Sequence, residues 1–206
     1  MEDRRMKHLI GITSESFIPN EAMLITHALD AGIERMHLRK PHATTEQMEV
    51  LLRSIPQAYH ARLVLNDCHT LAAQYGVGGI HLNARHSKPP AGWQGNVSRS
   101  CHSLEEVMRY KEECYYLFLS PIFDSISKAG YTSHFTEEQL LEASQRGIID
   151  ERVIALGGIS IDNIASLRNY HFGGVALLGS LWSYPDATTI ETTVRKLKEK
   201  IRCYNL

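Results

Sequence analysis

The sequence predicts an α/β fold, a single (β/α)₈ TIM barrel with a reduced fourth helix, and three observations carry the prediction. Short apolar runs bounded by turn residues alternate with amphipathic stretches, the pattern of buried parallel strands and their crossover helices. Eight such runs can be counted, and each ends in polar residues or glycine. The 206 residues suffice for one barrel with short loops and leave no surplus for a second domain, so residues 1–206 are expected to form one unit.

The expected strands, in order, are HLIGIT from His8, RMHLRK from Arg35, RLVLN from Arg62, GGIHL from Gly78, VSRSC from Val97, YYLFLS from Tyr115, VIALG from Val153 and GGVALLG from Gly173. After the second strand, Met48, Leu51, Leu52 and Ile55 share one helical face, with Thr44 or Thr45 ahead of them as N-cap. Ser103 is the natural cap for the helix SLEEVMRY. At the end of the chain Ile190, Val194, Leu197 and Ile201 make one apolar stripe, and Arg195, Lys196, Lys198 and Lys200 form a solvated face. Two segments break the rhythm. The stretch from Asn83 to Asn96 holds two prolines and two glycines, which forbid a long fourth helix. The stretch from Ser120 to His134 is too long and polar for an ordinary βα turn, and reads as a lid with Gly130 as pivot.

Composition narrows the function classes. Lys and Arg (22) nearly balance Asp and Glu (23), so no broad basic field is available to hold a nucleic-acid backbone or an anionic membrane. No apolar run approaches the length of a membrane span, the N-terminus lacks a secretory h-region, and the four cysteines form no C-x-x-C pair. A cytoplasmic protein that binds small molecules is expected, with association into a homo-oligomer left open.

In a (β/α)₈ barrel the chemistry sits where the strands end, because the βα loops converge there. The endings read Thr13, Arg39-Lys40, Asn66-Asp67, Asn83, Ser100 with His102, Ser120, Gly157-Gly158 and Gly179-Ser180. Glycine lets backbone N–H groups approach a phosphate, and strands seven and eight are where this fold places one; Gly158, Gly179 and Ser180 are therefore candidate phosphate binders. Arg39, Lys40 and Lys128 are either solvated charges or, taken together, a site for a second and more highly charged anion such as a pyrophosphate. Asn66-Asp67 offers hard oxygen ligands suited to Mg²⁺, while Asp67 could equally cap the helix that follows. His37, His81 and His102 read as hydrogen-bonded wall more readily than as metal ligands, with His102 also placed to act as a general acid or base.

The ordered segments His37-Leu38-Arg39, Asn66-Asp67, Gly79-Ile80-His81-Leu82, Ser100-Cys101-His102-Ser103, Ser120-Pro121-Ile122-Phe123, Ser125-Ile126-Ser127-Lys128 and Gly157-Gly158-Ile159 resemble thiamine phosphate synthases and the related TenI-type thiazole tautomerases, from His8 to Ser183. The resemblance implies an enzyme that joins a hydroxymethylpyrimidine pyrophosphate to a thiazole phosphate with Mg²⁺. It places Ser100 and Lys128, with His102, among the catalytic candidates. Arg39, Asn66 and Ser127 go to the substrate, Asp67 to the metal, and Gly158 with Gly179 and Ser180 to the thiazole phosphate; Lys40 stays a substrate-binding candidate through its place beside Arg39. Several positions depart from the synthase pattern. The second strand ends His37-Leu38-Arg39-Lys40-Pro41 in place of Gln-x-Arg-x-Lys, Cys68 stands where an arginine is usual, and His86 stands where a second metal carboxylate is usual. The tautomerases carry a histidine where this chain has Pro121. A tautomerase and a non-catalytic binder of the same phosphates are the alternative readings.

Overall fold

The computed structural model describes residues 6–124, 135–183 and 185–204. Eight parallel strands, β1 (His8–Ile12), β2 (Arg35–Leu38), β3 (Leu63–Leu65), β4 (Gly79–Leu82), β5 (Asn96–Cys101), β6 (Tyr116–Leu119), β7 (Val153–Leu156) and β8 (Gly174–Leu177), close into a barrel in chain order. The seam is made by β1 and β8, with Leu9 opposite Val175 and Gly11 opposite Leu177. Each observed strand lies within the run that the sequence marks or extends it by one residue.

The outer ring holds α1 (Glu21–Ala31), α2 (Thr45–Ser54), α3 (Leu71–Tyr75), α4 (Leu104–Tyr110), α5 (Glu137–Gln145), a short α6 (Gly179–Trp182) and α7 (Ala187–Tyr204). Thr44 caps α2 in a capping box with Gln47, and Ser103 accepts the Glu106 N–H at the start of α4. The stripe on α7 is core, since Ile190, Val194, Leu197 and Ile201 are all buried. Residues 83–95 contain no helix at all, so the fourth helix is absent and not merely shortened. The connection after β7 is also thinned, to a single 3₁₀ segment at Ile164–Asn169. No helix among the described residues is long and apolar enough to cross a membrane.

Alternation along the strands divides the buried residues into two layers. Leu9, Met36, Leu38, Leu65, Ile80, Leu82, Leu117, Leu119, Val153 and Val175 face the helices. Inside the barrel, Ile10, Ile12, Tyr116, Phe118, Ile154 and Ala176 form a smaller apolar cluster. The interior is lopsided: β1, β7 and β8 fill it with aliphatic groups, whereas β2 to β5 send in His37, Asn66, His81, Ser98 and Ser100. Burying so many polar groups is tolerable only if each finds a hydrogen-bond partner. That requirement shapes the site above them.

Candidate active site

Two fully buried histidines organise the polar half of the barrel. His37 donates from Nδ1 to Asn66 Oδ1 (3.0 Å) and its Nε2 accepts a short bond from the Tyr116 hydroxyl. His81 pairs Nδ1 with Ser98 Oγ (2.9 Å) and Nε2 with Ser100 Oγ (2.8 Å). The two rings meet edge to face with centroids 5.0 Å apart, and Phe118 lies against both. Burial holds both imidazoles neutral, pushing His37 down to about 3 and His81 well below the ordinary histidine range. The expected wall is therefore present, and these rings are not positioned as metal ligands.

Neutrality fixes where the protons are. The Ser98 hydroxyl donates to the Ile80 carbonyl (3.3 Å), so it accepts from His81 Nδ1–H. His81 Nε2 is then an acceptor, and the Ser100 hydroxyl donates to it. Ser100 thus directs its O–H at His81. On the neighbouring column, Asn66 uses its carbonyl end on His37, which leaves the Nδ2 hydrogens as donors at the end of β3.

The loops after β3 and β4 are clamped together by Asn83. Its Nδ2 donates to the Asn66 carbonyl (3.2 Å), and its Oδ1 accepts the N–H groups of Arg85 (2.9 Å) and His86 (3.1 Å). Cys68 turns the first of these loops with a positive φ of 54°. The result brings Arg85 onto Asp67: its Nη2 lies 2.8 Å and its Nε 3.3 Å from Asp67 Oδ1, and His86 Nε2 is 3.4 Å from the same oxygen. Oδ2 of Asp67 is shut off from solvent and has no partner, as is Nε2 of His69 beside it. Asp67 does not cap α3, whose N-cap is Thr70.

This geometry tests the magnesium expectation. Mg²⁺ demands a near-octahedral shell of oxygens and keeps several waters. Here one oxygen of the single carboxylate carries a guanidinium, the other is sealed from water, and the neighbouring groups are imidazoles. No group of three or more His, Cys, Asp or Glu residues among the described residues is arranged to hold a metal. The donor set around Asp67 does not fit Mg²⁺.

Lys40 needs a correction. Its side chain is fully buried, and Nζ donates to the carbonyls of Ser14 (2.8 Å) and Ser16 (2.7 Å) and to Glu21 Oε1 (2.6 Å). An ammonium has three N–H donors, so none remains for a substrate. Burial raises the Glu21 carboxyl and lowers Lys40, each shift being opposed by the partner's charge. Lys40 ties the β1–α1 loop to the barrel. Arg39, by contrast, stays at the end of β2: its backbone N–H donates to Thr13 Oγ1 (2.9 Å), and Nη1 lies 2.8 Å from Glu15 Oε1 without the alignment of a hydrogen bond.

The remaining candidates lie at the ends of β5 to β8. His102 Nδ1 donates to the Ser120 carbonyl (3.0 Å), leaving Nε2 with a lone pair, and its ring is exposed. Gly157 and Gly158 both have positive φ, 100° and 64°, and pack directly under the segment that follows β6. A Cβ on Gly158 would stand 2.4 Å from the Asp124 carbonyl and 2.8 Å from Phe123 Cβ. These glycines therefore answer first to loop packing. Asn163 completes the turn, donating to the Gly158 carbonyl (2.7 Å) and accepting from the Ser160 N–H (2.9 Å). Gly179 and Ser180 open α6, and the Ser180 hydroxyl is buried with no partner. Ser127 and Lys128, with most of the expected lid, lie outside the described residues.

Sequence reasoning missed Glu21, Arg85, Ser98, Tyr116 and Asn163 as members of this constellation, and it placed Asn83 among the polar strand ends without giving it a role. Only Ser98 and Tyr116 carried a signal, because strand alternation points them to the same face as Ser100 and Phe118.

Residues 9–181 match the TMP-TENI family, thiamine monophosphate synthase. A thiamine-phosphate synthase of Alcanivorax borkumensis is 28% identical over 205 residues, covering 94% of this chain and 93% of the relative. One from Wolinella succinogenes is 28% identical over 197 residues, covering 89% of each. The crystal structure of a thiamine phosphate pyrophosphorylase from Bacteroides thetaiotaomicron superposes with a TM-score of 0.86 at 37% identity, covering 95% of this chain and 98% of that one. The chain belongs to the thiamine monophosphate synthase family.

Proposed function

We propose that this protein joins a pyrimidinylmethyl pyrophosphate to a thiazole phosphate, giving thiamine phosphate and inorganic pyrophosphate. The observation that supports it best is the gathering of Arg39, Asn66 and Ser100 at the strand ends, Asn66 and Ser100 each hydrogen-bonded to a buried neutral histidine, in a member of this family. In the proposed step the bond between the pyrimidine methylene and the pyrophosphate oxygen breaks, and its electron pair leaves with the pyrophosphate. The thiazole nitrogen supplies the pair for the new carbon–nitrogen bond. No covalent enzyme intermediate is needed.

In this reading each residue meets charge where it develops. The Arg39 guanidinium and the Asn66 amide donors receive the departing pyrophosphate, whose negative charge grows in the transition state. Ser100 joins them by turning its O–H from His81 Nε2 toward the departing oxygen, a rotation that needs no proton transfer. Ser127 and Lys128 are proposed for the same anion on the resemblance alone, and the Ser180 hydroxyl with the backbone of Gly158 and Gly179 for the thiazole phosphate.

The test supplies purified protein with both substrates and follows thiamine phosphate and pyrophosphate by chromatography. Equimolar formation of the two is expected, and no product at high enzyme concentration would refute the proposal. One observation favours the tautomerase as a second reading: the bond from His102 Nδ1 to the Ser120 carbonyl leaves the other ring nitrogen, Nε2, without that partner on an exposed side chain. On that reading, isomerisation of a carboxythiazole phosphate would proceed without the pyrimidine and be abolished by His102→Asn.

A further inference from the structure

We infer that Arg85 takes the place of a metal ion at this site: its guanidinium sits on Asp67 and receives the pyrophosphate end of the substrate directly. The inference rests on the reading of the site as one that releases pyrophosphate. Three features of the structure carry it. First, both oxygens of Asp67 are unavailable to a cation, since Oδ1 holds Nε and Nη2 of Arg85 and Oδ2 is sealed from solvent. Second, the Arg85 backbone is fixed and not drifting on a loose loop, because Asn83 Oδ1 accepts its N–H and the Asn83 N–H and carbonyl pair reciprocally with those of His86 (3.1 Å each). Third, the Asp67 side chain is only 8% exposed whereas that of Arg85 is 47% exposed, so the pair presents its cationic partner to the outside.

The chemistry follows from what a guanidinium is. It has five N–H donors in a planar fork, and Asp67 engages two of them, leaving three on an exposed face for phosphate oxygens. An aspartate that would otherwise repel a pyrophosphate instead orients the group that attracts it. His86 lies 3.4 Å from the same carboxylate oxygen, its ring tilted against that of His69 at a centroid distance of 4.9 Å.

The experiment uses the full chain, freed of metal with EDTA, and two probes: inorganic pyrophosphate in a calorimetric titration, and Mn²⁺ followed by its free-ion paramagnetic resonance signal after the chelator is removed. Wild-type protein should bind pyrophosphate in EDTA, and Arg85→Met should weaken that binding on the order of ten- to a hundredfold, the loss expected for charge-assisted hydrogen bonds. Equimolar protein without pyrophosphate should leave the Mn²⁺ signal unchanged. The inference is overturned if the wild type takes up one Mn²⁺ and Asp67→Asn abolishes the uptake, or if Arg85→Met binds pyrophosphate as tightly as wild type. Failure to bind pyrophosphate either in EDTA or with excess Mg²⁺ would instead remove the pyrophosphate-site reading itself, and the inference with it. Circular dichroism of Arg85→Met checks that its fold is retained, and Arg85→Lys, which keeps the charge but loses the fork, should fall between the two.

Discussion

Replacing Lys40 with methionine separates a structural lysine from a substrate-binding one. The ion pair with Glu21 is inaccessible on both sides, with side-chain exposures of 0% and 3%, and the nitrogen also satisfies two loop carbonyls. Lys40→Met would leave Glu21 as a buried charge without a partner, and breaking a buried pair from one side costs about 3–5 kcal/mol. For a chain of this size that lowers the melting temperature by about 6–20 °C. Converting both members, Lys40→Met with Glu21→Gln, removes the stranded charge and should recover more than half of the loss. The rest stays lost because the carbonyls of Ser14 and Ser16 still lack a donor. Urea unfolding followed by circular dichroism measures each variant, and pyrophosphate titration of the folded protein measures the alternative. A Lys40→Met protein that unfolds at the wild-type urea concentration but has lost pyrophosphate affinity would refute the placement of Lys40 described here.

Two further outcomes are expected. His37 is neutral in the folded protein down to about pH 3 but protonates near 6.5 once unfolded, so between those values the unfolded chain binds more protons and stability falls as the pH is lowered. At pH 5 this single group should reduce unfolding free energy by about 2 kcal/mol relative to pH 7.5, and His37→Gln should flatten that part of the urea-midpoint profile against pH; a slope unchanged by the substitution would count against it. Gly158→Ala places a methyl group in a left-handed conformation 2.4 Å from the Asp124 carbonyl, a backbone atom that cannot rotate away. A loss of about 2–4 kcal/mol is expected, seen as a lower thermal midpoint, and a variant as stable as wild type would show that the segment after β6 does not rest on this glycine.

The sequence by itself determined the barrel. Eight apolar runs separated by amphipathic ones admit few architectures, because parallel strands need crossovers and right-handed crossovers of this number close on themselves. Periodicity also located the stripe of α7, and the density of proline and glycine from Asn83 to Asn96 marked where helix formation fails, though it predicted a reduced fourth helix where the structure has none; both are local properties of the chain. Ser103 was legible as a cap for the same reason, and the sequence narrowed the cap of α2 to Thr44 or Thr45, of which the structure uses Thr44.

Tertiary structure alone decided which charges meet. Arg39 and Lys40 are adjacent in sequence and look alike, yet strand alternation and a glutamate 19 residues earlier bury one and leave the other at the strand end. Asp67 and Arg85 are 18 residues apart, on loops of neighbouring strands, and nothing in either segment announces the pairing; it arises because Asn83 fastens one loop to the other. The protons of Ser98, His81 and Ser100 likewise follow from burial, which forbids charge on the ring and so imposes one order of donors and acceptors along the column. Local pattern dictates elements because backbone hydrogen bonding and apolar periodicity act over a few residues. The electrostatics of the site depend on which distant side chains are desolvated together, and that is fixed only once the barrel has closed.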